Sequence, residues 1–88
     1  MIWVMQAKYI KDFKLEIQFS DGKMVRIDLA SSLNGKIFEP LRDVEQFKKF
    51  HVNPDLDTIS WDNGADFAPE YLYELGQKQA GIAKATAG

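Results

Sequence analysis

Residues 14–29 read K-L-E-I-Q-F-S-D-G-K-M-V-R-I-D-L. Apolar side chains occupy every second position, with Leu15, Ile17 and Phe19 before the Asp21-Gly22 pair and Val25, Ile27 and Leu29 after it. That is the period of a half-buried strand, so the stretch predicts a β-hairpin. A two-residue turn at Asp21-Gly22 would set Phe19 against Met24 and Leu15 against Asp28, mixing apolar and polar residues on each face. Pairing Phe19 with Val25, Ile17 with Ile27 and Leu15 with Leu29 keeps one face apolar, with a three-residue loop in which Gly22 takes positive φ. The other face carries Lys14, Glu16, Gln18, Arg26 and Asp28 and is expected to be wet.

Working outward, residues 2–9 predict a further strand, and Ala30 to Arg42, broken by Asn34-Gly35 and Pro40, predicts a loop with short turns. Asp43 and Gln46 stand three apart, as in a capping box, ahead of Val44, Phe47 and Phe50 at near-helical spacing, which predicts a two-turn helix. Residues 50–61 alternate again around Pro54-Asp55. Setting Val52 opposite Ile59 leaves a four-residue loop, Pro54 to Asp57, and brings Phe50 opposite Trp61 on the apolar side. Pro69 and Glu70 suit the first turn of a second helix, with Leu72 and Leu75 facing inward and Gly76 as its expected stop. The expected fold is α+β, mainly an antiparallel sheet of about five strands, formed by two β-hairpins and an N-terminal strand, with two short helices. Residues 1–76 are expected to form a single domain and 77–88 a flexible or weakly helical tail.

Eighty-eight residues, 45% of them hydrophobic, suit one small core. The chain has no cysteine, which removes disulfide frameworks, thiolate zinc sites and cysteine nucleophiles together. The apolar N-terminal run is too short for a signal peptide or membrane span, so no membrane association and a cytoplasmic location are expected. Formal net charge is −2, and its distribution matters more than its sum. Residues 52–76 hold six acids, Asp55, Asp57, Asp62, Asp66, Glu70 and Glu74, and no Lys or Arg. A segment of that sign repels phosphate, so direct nucleic-acid binding is not expected there.

Within that segment, Asp62, Asp66 and Glu70 recur at intervals of four, and hard cations need several oxygen ligands. The spacing fails the EF-hand pattern, because a loop beginning at Asp62 puts Gly64 third where the sixth position is required. The structural alternative has Asp66 accepting backbone hydrogen bonds near the helix start, Glu70 favouring the helix dipole, and Asp62 solvated in a turn. His51 is the sole histidine, and Ser20, Ser31, Ser32 and Ser60 lack a nucleophile-elbow setting. No catalytic, cofactor-binding or metal-ligating residue and no cofactor are therefore assigned. Trp61 and Tyr71 are expected in the core and Tyr73 partly exposed.

The segments F-S-D-G at 19–22, V-R-I-D-L at 25–29, F-E-P-L-R-D at 38–43 and I-S-W-D-N-G-A-D-F-A-P-E-Y-L-Y at 59–73 occur in an order that resembles the bacterial family called domain of unknown function 2442. The resemblance covers roughly residues 1–75 and is most specific at Trp61, Asn63, Gly64, Asp66, Pro69, Glu70, Leu72 and Tyr73, while Asp62 stands where the family pattern has proline. It implies a small α+β domain, dominated by antiparallel sheet, with no assigned activity and no catalytic residues to carry over. It also implies relatives with an added helix-turn-helix region, and others beside toxin-like or transcription-related genes. The short tail here is expected to lack such a DNA-reading element.

These readings lead to a small non-enzymatic binding or regulatory module that works through protein–protein contact. Asp62, Asp66, Glu70, Tyr73 and Glu74 are the candidate partner surface, and a basic protein is the expected partner. The alternative is an accessory of a transcriptional or toxin–antitoxin system, with an enzyme of unrecognised type as a third. Open sheet edges also make a homo-oligomer an expectation.

Overall fold

The computed structural model describes residues 1–87, with side chains as far as residue 81. Strands β1 (Val4–Lys11), β2 (Lys14–Phe19) and β3 (Met24–Asp28) form an antiparallel meander in the order β1-β2-β3. Two 3-10 turns, Ala30–Ser32 and Lys36–Arg42, and a single helical turn α1 (Val44–Phe47) lead to a second antiparallel pair, β4 (His51–Asn53) and β5 (Thr58–Ser60). Helix α2 (Pro69–Ala87) closes the described chain. The fold is α+β with five strands in antiparallel sheets, as the alternating patterns predict.

The first hairpin forms with a three-residue loop, as expected, but its register is slipped by two: Ile17 lies opposite Val25, Leu15 opposite Ile27, and Phe19 is closed against Lys23 by a 2.9 Å bond from Phe19 N–H to Lys23 O. A slip of two returns every side chain to its own face, so the apolar set Leu15, Ile17, Phe19 and Ile27 is still buried. The loop chemistry favours a loop over Ser20 to Gly22. Asp21 Oδ1 accepts from Lys23 N–H at 3.0 Å and Gly22 takes φ +90°. The second hairpin has the predicted register, Val52 opposite Ile59, with Pro54 to Asp57 in the loop.

A 2.9 Å bond from Val4 N–H to Asp57 O ties β1 to the tip of the second hairpin, so both sheets border one core. Phe47, Ile59, Trp61 and Phe67 fill it from one side and Leu15, Ile17, Phe19 and Ile27 from the other. Each such side chain contributes roughly 1.5–3 kcal/mol on burial. Trp61 is buried as expected, but packs on Phe47 at 5.8 Å between ring centroids, and no ring contact with Phe50 accompanies it among the described residues.

Other expectations are corrected. Helix α1 is one turn, and Asp43 caps it through a 3.1 Å bond from Glu45 N–H, without the reciprocal bond from Gln46 that a capping box requires. Gly76 does not stop α2, which continues to Ala87. Its missing Cβ is needed for another reason: a Cβ there would lie 2.7 Å from Val25 Cγ1 and 3.3 Å from Ile27. Glycine thus lets the helix backbone settle directly onto β3. Tyr71 is 44% exposed, because it stacks on the outside of Phe67 and its hydroxyl bonds Ser32 Oγ at 2.7 Å. Gly88, the end of the expected tail, lies outside the described residues.

Candidate functional site

The segment from Ile59 to Tyr73 spends its polar groups on its own geometry. Trp61 Nε1–H donates to Phe47 O at 2.9 Å inside the core. Trp61 N–H donates to Ala65 O at 2.9 Å and Gly64 N–H to Trp61 O at 3.0 Å, closing a tight turn in which Gly64 has φ +92°. Asn63 fixes that turn twice, accepting from Ala65 N–H at 3.0 Å and donating through Nδ2 to Ile37 O at 2.9 Å. Thr58 Oγ1 donates to Phe67 O at 2.6 Å. No buried side-chain nitrogen or oxygen among the described residues lacks a partner. Phe38, Trp61 and Phe67 pack with centroids 4.8–6.4 Å apart, so the motif welds β5, the second 3-10 turn and the approach to α2 together.

The acids of this segment are left on the outside. Asp55, Asp57, Asp62, Asp66, Glu70 and Glu74 are all exposed, and none pairs with a Lys or Arg among the described residues. Glu70 lies in the first turn of α2, as predicted. Asp66 does not cap that helix with its carboxylate. Its backbone forms a bridge with Ser60, and Leu72 N–H reaches Ala68 O at 3.2 Å as the early helical bond. Glu74 lines a shallow 220 Å³ groove with Tyr71, Leu75 and Lys78. Tyr73 is half-buried, edge-on to Phe19 at 5.0 Å, and its hydroxyl donates to Asp21 Oδ2 at 2.7 Å. That bond and a second from Lys23 N–H hold the Asp21 carboxyl below its ordinary value. Of the five predicted surface residues, Tyr73 thus faces the hairpin tip, whereas the four acids form an exposed skin. Asp62, Asp66 and Glu70 do not gather around a common point: no three His, Asp or Glu side chains among the described residues are grouped for a metal ion.

One constellation falls where sequence spacing gave no signal. His51 Nε2 meets Ser60 Oγ at 3.2 Å, and His51 Nδ1 stands 3.9 Å from Asp62 Oδ1. The three follow the nucleophile–base–acid order of hydrolases. The Asp62 distance exceeds a hydrogen bond, and its side chain is 98% exposed. Ser60, the last residue of β5, is 5% exposed, and the 370 Å³ groove beside Asp62 is lined by Lys49, Trp61 and Asn63 but not by Ser60. The Ser60 hydroxyl is thus nearly sealed, and its bond with His51 joins β4 to β5.

The fold and this segment define a small α+β domain whose central motif is architectural and whose acids are exposed. The chain matches the family described as Protein of unknown function (DUF2442) over residues 4–78 and belongs to it. No curated protein matches the chain. Among solved structures, a crystal structure of a protein from Nitrosomonas europaea ATCC 19718, provisionally described as DNA-binding, is similar with a TM-score of 0.80 at 20% identity. The match covers 92% of this chain and 52% of that one, so this chain spans about half the length of the similar protein. At that identity the likeness shows a shared fold. Among the described residues no helix is long and apolar enough to cross a membrane.

Proposed function

We propose that this domain is a binding module that engages a basic protein through its acidic side. The observation that carries the reading is that six carboxylates from one 25-residue stretch are exposed and free of Lys or Arg partners among the described residues. Unpaired surface charge of one sign speeds encounter with a partner of the other and selects against wrong ones. Asp62, Asp66, Glu70 and Glu74 supply the charge, and the exposed ring of Tyr71 beside Glu74 supplies apolar contact. The test is capture from cell lysate by the immobilised wild type and by a variant carrying Asp66→Lys, Glu70→Lys and Glu74→Lys. A band retained by the wild type, lost in the variant and lost at about 0.5 M salt, where screening is within a few ångströms, supports the reading. Equal capture by both proteins overturns it.

A second reading, an accessory role in transcription, is favoured by the fold shared with the Nitrosomonas europaea protein. A gel-shift assay with DNA upstream of the gene, with and without the products of neighbouring genes, tests it. Absence of a shift in every combination removes it.

A further inference from the structure

Strand β3 has a neighbour on one side only, since the sheet order is β1-β2-β3. Phe19 N–H donates to Lys23 O and Leu29 N–H to Phe13 O, each at 2.9 Å. With Ile17 opposite Val25 and Leu15 opposite Ile27, odd-numbered residues of β3 turn their backbone groups toward β2. Met24, Arg26 and Asp28 turn theirs outward. The outward pair of Asp28 is already met: its N–H donates to Gln79 Oε1 at 2.9 Å, and Gln79 Nε2 donates to its carbonyl at 3.0 Å. A primary amide from α2 therefore presents this edge with the donor and acceptor that a neighbouring strand would present. Met24 and Arg26 offer the same two groups each, without a backbone or side-chain partner among the described residues.

The edge borders a groove. On one side of Gln79, Lys23, Met24, Arg26, Gln77 and Ala80 enclose about 440 Å³ between β3 and α2. On the other side, Ile10, Lys11, Lys14 and Arg26 enclose about 490 Å³. Four cations thus border the two lobes against the single carboxylate of Asp28. The ion pair of Arg26 with Glu16 is long, 3.7 Å, and the Arg26 side chain is 78% exposed, so its charge is available to a ligand.

We propose that this edge accepts an extended acidic peptide segment of a partner protein, added as a fourth strand beside β3. The backbone of the segment completes the rungs at Met24 and Arg26, with Gln79 marking where pairing ends. Side chains of an added strand alternate between faces. Those on the side of Arg26 meet cations and favour carboxylates, whereas those between them point toward Val25 and the small side chain of Ala80, where valine-sized groups fit. A second copy of this chain fits less well. Two-fold pairing of β3 with itself, centred on Arg26, places Arg26 directly against Arg26, and like charges directly opposite are destabilising. This site differs in place and sign from the acidic side, and does not depend on the role proposed for it.

The test uses the whole chain, labelled with nitrogen-15, and an octapeptide that alternates glutamate and valine. Adding the peptide shifts the amide signals of Met24 and Arg26 and slows their exchange with solvent, while β1 and the 55–70 amides stay unchanged. The lysine–valine analogue binds at least about tenfold more weakly. An analogue N-methylated at the rung-forming amides loses binding without any change to the protein. In Gln79→Ala, slowed exchange in the complex extends to Asp28 as well. Binding that survives N-methylation, binding equal for the lysine analogue, or no shift at about millimolar peptide overturns the proposal. So do shifts of Met24 and Arg26 that follow protein concentration without peptide, which would assign the edge to self-association, or that follow duplex DNA and not peptide.

Discussion

Asp21 and Tyr73 show how one exposed hydrogen bond couples an element tip to a helix. The Tyr73 hydroxyl donates to the Asp21 carboxylate at 2.7 Å, and this interaction is the largest cause of the lowered Asp21 pKa. In the unfolded chain the carboxyl titrates near the usual value of about 3.9. The unfolded state therefore binds more protons in the interval below that value, and stability falls as the pH drops through the lower folded pKa. Tyr73→Phe removes the donor. The stability difference between wild type and variant, read from urea titrations, is expected at neutral pH and to narrow below about pH 4; a difference that does not vary with pH would mean that the bond is not the cause. The buried counterpart is Trp61, whose indole N–H meets Phe47 O. Trp61→Phe keeps a ring in the core but strands that carbonyl, for an expected loss of about 1–3 kcal/mol in urea unfolding. A loss under about 0.5 kcal/mol would show that the carbonyl finds another donor.

At the scale of elements, α2 and its glycines separate two uses of the same residue. Gly76 faces Val25 and Ile27, with a hypothetical Cβ only 2.7 Å from Val25 Cγ1, whereas a Cβ at Gly81 meets nothing within 4 Å. Both lie within the helix, so alanine gains about 1 kcal/mol of helix propensity at each. At Gly81 that gain stands alone and thermal stability should rise. At Gly76 it is outweighed by overpacking of about 1–3 kcal/mol, and Val25→Ala in the same chain should restore part of the loss. A stabilised Gly76→Ala would show that helix and strand are not in close contact. The same pair shows what sequence could and could not carry. A glycine after Leu75 looks identical whether it ends a helix or lets one approach a strand, because the difference lies in β3, fifty residues away. Alternation likewise fixed the faces of β2 and β3 but not their register, since a slip of two costs nothing in pattern; Pro54 to Asp57 held the second hairpin in its predicted register. The acidic skin was legible because charge needs no fold to be counted. Gln79 was not, because its value as an edge partner exists only once α2 passes Gly76 and reaches Asp28.

At the scale of the whole molecule, the open question of mechanics is whether two sheets make one cooperative unit. The Cα radius of gyration is 12.7 Å, close to the roughly 12 Å expected for a compact domain of this length. The core cluster draws Leu15, Ile17 and Phe19 from one sheet, Ile59 from the other and Trp61 just after it, and Val4 bonds across to Asp57. Neither sheet has a separate core, so loss of one exposes the apolar face of the other. The two tryptophans provide unequal probes: Trp61 is 4% exposed and Trp3 41%. With Trp3→Phe, fluorescence reports Trp61 and therefore the second hairpin and its aromatic neighbours, while far-ultraviolet circular dichroism reports all strands and α2. The two transitions are expected to coincide in urea midpoint and slope, as a two-state domain requires. An earlier fluorescence midpoint would mean that β4, β5 and the Trp61 motif detach first, so the 59–73 segment would serve as a releasable clasp instead of a fixed joint. That outcome would also expose Phe47 and Phe67, now nearly sealed at 0% and 7%, and binding of a hydrophobic dye within the gap between the midpoints would confirm it.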